Sequence, residues 1–396
     1  MQKKSANPLL SASGYEWWWK EPAPCLRTID SNEPISVAPL EAIAAAELPH
    51  ESLGILECPP GYTVTDSEYK ALNTSEPNHF LMCLYGDWIG NKSQKEYKCK
   101  CILVIAGYSG SSFVDKAEVY FPDQPHFNRQ LTGSYPKLGG PVGAVIKDSA
   151  SEPMLVLAGG EESPSNSYRK SYLMHLRTLV VSSGPKLNEN RIVHAGATLN
   201  NSLVICGGRI GKTSNNPALS SCETLDLERN QWQTSMAPLP QTRDTLSAAA
   251  LDGTLYIANG RCCQDMIEYK PSNNQWRQVI SGLVTRAGPA MTVFNGTLVV
   301  CGGSRLVPTD TIWKSCFRFD PATSSTVSMA DMNYARKYFN LVVHRGKLYA
   351  MGGLYTVGRE TKSVEVYDAE LDSWAYAADM TYKRFLFVAV NLMEEW

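Results

Sequence analysis

The chain has 396 residues and a formal net charge of −2, with no long basic run, so nucleic acid is not an expected partner. No apolar stretch reaches the roughly 18–20 residues that a helix needs to span a bilayer. The two lysines near the N-terminus are followed by no apolar segment of the kind a secretory leader carries.

Residues 1–57 show no sustained period, and we expect an irregular segment there. Trp17-Trp18-Trp19 reads either as a partner-binding anchor or as a segment packed against the neighbouring domain, and residues 42–48 are the one short helical candidate. From 58 to 100 the texture is that of a small cysteine-containing region. Cys58-Pro59-Pro60-Gly61-Tyr62 is followed by Cys83-Leu84-Tyr85-Gly86-Asp87-Trp88, then by Cys99 and Cys101. This stretch, with Cys25, resembles a sushi (complement-control) module. The resemblance implies bridges Cys25–Cys83 and Cys58–Cys99, which a region this small would need to hold a core. The alternative is an N-terminal extension with free thiols.

Beyond Cys101 one unit recurs. A short apolar run ends on glycine at CILVIAG (Gly107), MLVLAGG (Gly160), SLVICGG (Gly208), TLYIANG (Gly260), TLVVCGG (Gly303) and KLYAMGG (Gly353). Counting Gly107, Gly159, Gly207, Asn259, Gly302 and Gly352 as the first slot, the steps are 52, 48, 52, 43 and 50 residues. A period near fifty with strand-like content signals a repeat architecture. Sixteen residues before the slot stand Arg191, Arg243, Arg286 and Arg336, with Gly143 at that count in the second unit. A small or apolar strand succeeds each arginine, then a tight turn at Asn200-Asn201, Asp252-Gly253, Asn295-Gly296 or Arg345-Gly346. Such pairs suit the positive φ of a two-residue hairpin. A third strand ends on Tyr120, Leu225, Tyr269, Phe319 or Tyr367, and seven residues later a fourth begins at Phe127, Trp232, Trp276, Thr326 or Trp374. Four antiparallel strands per unit make one propeller blade. The glycines are expected where a side chain would collide with neighbouring backbone.

This combination of di-glycine, upstream arginine, tyrosine and tryptophan resembles the kelch repeat over about residues 101–392. It implies an all-β, six-bladed kelch-type β-propeller spanning 101–396. Arg384 with the strand after it lacks a glycine strand, and the first unit lacks an arginine strand. The C-terminal strand is therefore expected to complete the first blade and close the ring, removing an exposed edge.

Little points to catalysis. The six histidines are scattered without a metal-ligand spacing, and no phosphate loop, nucleophile elbow or zinc-binding helix motif is present. We expect no catalytic residues, no metal and no cofactor. Adjacent Cys262 and Cys263 are poorly placed to share a metal and read as two packed thiols. Cys206 with Cys222, and Cys301 with Cys316, flank the loops after the second strand and could bridge across antiparallel strands, which would suit an oxidising compartment; buried free cysteines are the alternative. Four glycosylation sequons, at Asn73, Asn91, Asn200 and Asn295, are compatible with secretion but no more numerous than chance provides. The loops after the glycine strands begin with Arg209, Arg261 and, one position later, Arg305, a candidate cationic arc for an acidic peptide or sialylated sugar, bordered by Glu161. Solvated loop charges are the competing reading. The recurrent arginines read as structural. The expected function is non-catalytic binding of a protein or glycan, extracellular in the first reading. The alternatives are an intracellular kelch adaptor and a carbohydrate-active enzyme.

Overall fold

The computed structural model describes residues 25–27, 37–39, 56–57, 101–122, 128–131, 133–162, 168–176, 178–211, 215–305 and 310–392. The chain divides into two units, Met1–Leu81 and Met82–Trp396. In the first, Cys25–Arg27 pairs antiparallel with both Val37–Pro39 and Leu56–Glu57. Cys58, Cys83, Cys99, Phe127 and the helical candidate at 42–48 lie outside the described residues.

The second unit is a six-bladed propeller. We letter the strands of each blade a to d, from the axis outward. Blade 3 shows the pattern: Ala195–Leu199 (a), Ser202–Cys206 (b), Cys222–Asp226 (c) and Gln231–Gln233 (d), each antiparallel to the next. Strands a of the other blades are Val142–Lys147, Ser247–Leu251, Ala287–Phe294, Asn340–His344 and Val388–Asn391. Each packs on its two neighbours around the axis. The last belongs to blade 1: Val388–Asn391 pairs with Ile102–Ile105, in register Val388↔Ile105. The chain ends of the propeller thus close the ring as expected.

The b strands read as uninterrupted apolar runs because both of their faces are covered. Leu103 and Ile105 pack with Leu155 and Leu157 of blade 2. Ile102 and Val104, pointing the other way, pack with Tyr349 and Met351 of blade 6. Alternation is lost because the pleat presents both sides to a neighbouring blade. The aromatic positions on strands c and d are directly opposed partners. Tyr269 faces Trp276 with ring centroids 5.2 Å apart, and Tyr367 faces Trp374 at 5.3 Å. Each tryptophan indole also donates to the carbonyl of the link entering its blade, Trp276 to Ala237 at 2.9 Å and Trp374 to Ala330 at 3.0 Å.

Two repeat positions need correction. In blade 1 the residue equivalent to the first glycine is Ala106, not Gly107: Arg384 Nη1 donates to the Ala106 carbonyl at 2.9 Å, as Arg336 does to Gly352 at 2.7 Å. In blade 2 the arginine slot is Leu138, not Gly143. Val142–Lys147 pairs six residues where blade 3 pairs five, and the a–b turn spans five residues where blade 3 uses two, so counting back sixteen stops five residues short of Leu138.

The two ends of the propeller differ. One carries the tight a–b hairpins and c–d turns; the other carries the longer b–c loops and the links between blades. We call these the hairpin face and the loop face.

Candidate functional site

The loop face is built on the recurrent arginines. Arg336 is fully buried and donates to the carbonyls of Gly352 and Ser363, to Ser363 Oγ at 2.8 Å and to Glu365. Arg191 repeats this with Gly207, Ser221 and Glu223, and Arg384 pairs with Glu118. Each of these guanidiniums ties strands b and c of its own blade, while the arginine's own carbonyl serves the previous blade. The second glycine N–H of that blade donates to it, Gly303 to Arg336 and Gly353 to Arg384, both at 2.7 Å. The first glycine fits beneath: a Cβ at Gly302 would sit 2.3 Å from the Arg336 carbonyl oxygen, at a φ of +64°. Close approach and a left-handed backbone together explain the glycine pair. Asn259 holds the same conformation at φ 59°, which asparagine tolerates better than most residues.

The strand-c glutamates are inconspicuous in the sequence because they look like ordinary strand charges. Glu118-Val119-Tyr120, Glu223-Thr224-Leu225 and Glu365-Val366-Tyr367 place a carboxylate two residues before the aromatic slot, and that spacing is the one signal available. Blade 4 has Ile267 at this place, and Arg243 pairs instead with both oxygens of Asp265 at 2.6 and 2.9 Å. Blade 5 has Phe317, and Arg286 lies 5.8 Å from its ring centroid. Burial pushes the Arg286 guanidinium down to about 10.

At the axis, the residue two beyond each arginine slot is left-handed: Gly140, Val193, Thr245, Gly288, Tyr338 and Leu386. Their backbones form a chain of hydrogen bonds from blade to blade. Thr245 N donates to Val193 O, Gly288 N to Thr245 O, Tyr338 N to Gly288 O, Leu386 N to Tyr338 O and Gly140 N to Leu386 O, at 2.8–3.0 Å. Inside this ring is a cavity of about 110 Å³, bordered also by His194, Phe339 and Asn340. Burial raises the Tyr338 phenol to about 12, so it stays a neutral hydroxyl. Burial, then the charge of Arg191, pushes His194 down to about 3; the neutral ring donates from Nε2 to the Ala158 carbonyl at 3.0 Å.

Around the cavity the residue after each second glycine is Tyr108, Glu161, Arg209, Arg261, Ser304 or Leu354. The structure brings Arg209 and Arg261 together on Asp244. Arg209 is buried against one carboxylate oxygen, and Arg261 Nε stands 3.5 Å from the other with its side chain 40% exposed. Arg305 is exposed at the end of Thr297–Arg305. Glu161 is buried across the mouth and accepts the Tyr108 hydroxyl. Burial, then that hydrogen bond, pushes the Tyr108 phenol well above its usual range. Lys337 pairs with Asp310 and lies 5.6 Å from the Tyr338 ring centroid. The mouth is therefore a mixed-charge ring centred on Asp244, a residue that nothing in the sequence singles out because its role depends on the neighbouring blade. Toward the rim of blade 6, Tyr334 meets Tyr355 and Tyr376 edge-on at 6.0 and 5.9 Å.

Cys206 and Cys222 are directly opposed across strands b and c, with Cα atoms 4.1 Å apart and sulfurs at bonding distance, and Cys301 and Cys316 repeat this in blade 5. The sulfurs of Cys262 and Cys263, expected as two packed thiols, also stand at bonding distance. The loop from strand b to strand c is short here and folds the two sulfurs together. Among the described residues no group of three or more histidine, cysteine or acidic side chains is placed to hold a metal, and no helix is long and apolar enough to cross a membrane.

Comparison with known proteins agrees with this architecture. The family described as KLHDC2/KLHL20/DRC7 Kelch-repeats domain matches residues 148–353, and the Kelch motif matches 335–381. Kelch-like protein 15 of Homo sapiens is 26% identical over 214 residues, covering 48% of this chain and 35% of that protein. Kelch-like protein 25 of Xenopus tropicalis is 27% identical over 205 residues, covering 48% and 33%. Alpha-scruin of Limulus polyphemus is 27% identical over 181 residues, covering 43% and 19%. The chain thus matches about a third or less of the length of these relatives. With its six blades, buried arginines and glycine-paired strands, it belongs to the kelch-repeat family.

Proposed function

We propose that this propeller is a non-catalytic module that binds a protein partner on its loop face. The observation that carries this reading is the size of the axial cavity. About 110 Å³ is well below the ~300–1,000 Å³ of pockets that enclose small molecules, which disfavours an axial small-molecule site and leaves the loops around it as the candidate surface. The recess of about 330 Å³ on the hairpin face, beside Lys147, Asn201 and Asp226, is walled mostly by polar side chains, unlike the apolar lining of a small-molecule pocket. That surface offers exposed cations at Arg261 and Arg305 and exposed tyrosines at Tyr334 and Tyr376, the residue types that dominate protein interfaces. Asp244 already offsets much of the charge of Arg209 and Arg261, which favours a partner with paired charges over a strongly acidic one. The same cavity size weighs against a sugar-processing enzyme with an axial substrate site.

The opposed cysteines in two blades support an extracellular setting, since such bridges persist in oxidising compartments. An intracellular adaptor, with the same cysteines as buried thiols, is the alternative. Counting free thiols on protein from its native source, denatured with and without reductant, separates them. Eleven reactive thiols without reductant would overturn the extracellular reading.

The binding reading is tested by charge reversal. Arg261→Glu with Arg305→Glu should abolish partner capture by the full chain, and Lys347→Glu on the hairpin face should leave it unchanged. The opposite pattern would refute it.

A further inference from the structure

We propose that Cys262 and Cys263 form a thiol–disulfide exchange site at the axial mouth. It is worked by small-molecule thiols and disulfides, and its state sets how Arg261 is held on Asp244.

Three observations converge. The first is access. Cys262 is exposed, whereas Cys263 and each cysteine of the two cross-strand pairs are at most 3% exposed. The second is topology. The cross-strand pairs close segments of 16 and 15 residues, but this one joins neighbours in sequence. A link between adjacent residues removes almost no freedom from the unfolded chain, so it cannot serve as a staple. What it can fix is the backbone of its own short loop.

The third observation is what that loop holds. The Arg261 amide donates to the Asp244 carbonyl at 3.1 Å, and its guanidinium reaches the Asp244 carboxylate. On the other side Asp265 takes both guanidinium nitrogens of Arg243, and its carbonyl accepts the Asn259 amide at 2.9 Å. The disulfide therefore sits between two anchors of the mouth. Opening it frees the side-chain link that constrains the peptide between them.

The surroundings suit exchange. Gln241 Nε2 lies nearer to Cys263 Sγ than to Cys262 Sγ and is placed to donate to it, a contact that would stabilise this sulfur as a departing thiolate. The Thr242 carbonyl oxygen is 3.3 Å from Cys262 Sγ and is placed to accept its S–H after reduction. In the reducing direction a small thiolate attacks exposed Cys262 Sγ. The Cys262–Cys263 bond breaks, Cys263 leaves with the electron pair and takes a proton from water. A second small thiolate then attacks the small-molecule sulfur of the mixed disulfide, and Cys262 leaves as its thiolate. Two small thiols become one disulfide as the protein pair is reduced, and the reverse sequence reoxidises it.

The test uses the full native chain in glutathione buffers of graded thiol-to-disulfide ratio, with acid quenching and differential alkylation read by mass spectrometry. Cys262 and Cys263 should convert together and at least about tenfold faster than the cross-strand cysteines, as their access dictates. Cys263→Ser should accumulate one glutathione on Cys262, because the resolving thiol is gone, and Cys262→Ser should not. Hydrogen exchange at the Arg261 amide should quicken by about threefold or more on reduction, with the melting temperature unchanged. Conversion no faster than that of the buried pairs would overturn the proposal, as would conversion that leaves Arg261 exchange unaltered. If either variant fails to fold, the wild-type titration and exchange data decide alone.

Discussion

Deleting residues 384–396 removes the inner strand of blade 1 and with it the closure of the ring. The loss can be sized from the structure. Phe387, Val388 and Leu392 are 4%, 4% and 2% exposed. Burying side chains of this kind contributes roughly 1.5–3 kcal/mol each. Arg384 also goes, leaving Glu118 buried without its cation, and breaking a buried pair in this way costs about 3–5 kcal/mol. Together that is about 8–14 kcal/mol, comparable to the ~5–15 kcal/mol that holds a whole domain folded. Ile102–Ile105, whose residues are fully buried in the intact chain, would become a bare sheet edge. Thermal unfolding followed by near-ultraviolet circular dichroism should show no cooperative transition for the truncated chain, and a peptide of residues 384–396 added in trans should restore part of it. A truncated chain that melts as cooperatively and as late as the intact one would refute the reasoning.

The arginines should not be equivalent. Arg336→Ala strands Glu365 and should cost about 2 kcal/mol more than Arg286→Ala, whose blade offers Phe317 in place of that carboxylate; urea titration of both variants measures the gap. Gly346→Ala should cost about 1–2 kcal/mol for its left-handed backbone alone, and Gly302→Ala about 1–3 kcal/mol more for the contact with the Arg336 carbonyl; equal costs would mean that the contact is not felt. His194 is neutral when folded and protonates near 6.5 when unfolded, so the unfolded chain takes up the extra proton and stability falls with pH below 6.5. Between pH 7 and 5 the loss from this residue is about 2 kcal/mol, and urea midpoints of His194→Gln should lack that part of the slope.

The repeat was legible because each of its features is local. A glycine pair, an Asn-Gly or Asp-Gly turn and an arginine at fixed spacing need no knowledge of the neighbouring blade. Closure was legible too, since Arg384 stood before a strand without a partner. What escaped the sequence depends on other blades or on loop length. Ala106 fills a glycine slot at φ 63°, and no residue type marks such a place. Leu138 lost its register to the longer a–b hairpin of blade 2, one pair and three turn residues longer than that of blade 3. The arc of Arg209, Arg261 and Arg305 was visible as residue types. Asp244 beneath two of them was not, because it enters from the link into blade 4 and reaches back to Arg209 of blade 3. Glu161 read as a solvent-facing border charge, but Tyr108 covers it from blade 1.

Lysine-directed cross-linking of the full chain in its native extract tests most directly the claim that the loop face receives a protein. Exposed Lys137, Lys314, Lys362 and Lys383 mark the loop face, and exposed Lys147, Lys270 and Lys347 mark the hairpin face. Links to a partner should fall on the first group and disappear with Arg261→Glu and Arg305→Glu. Links concentrated on Lys147, Lys270 and Lys347, and indifferent to those substitutions, would contradict the account.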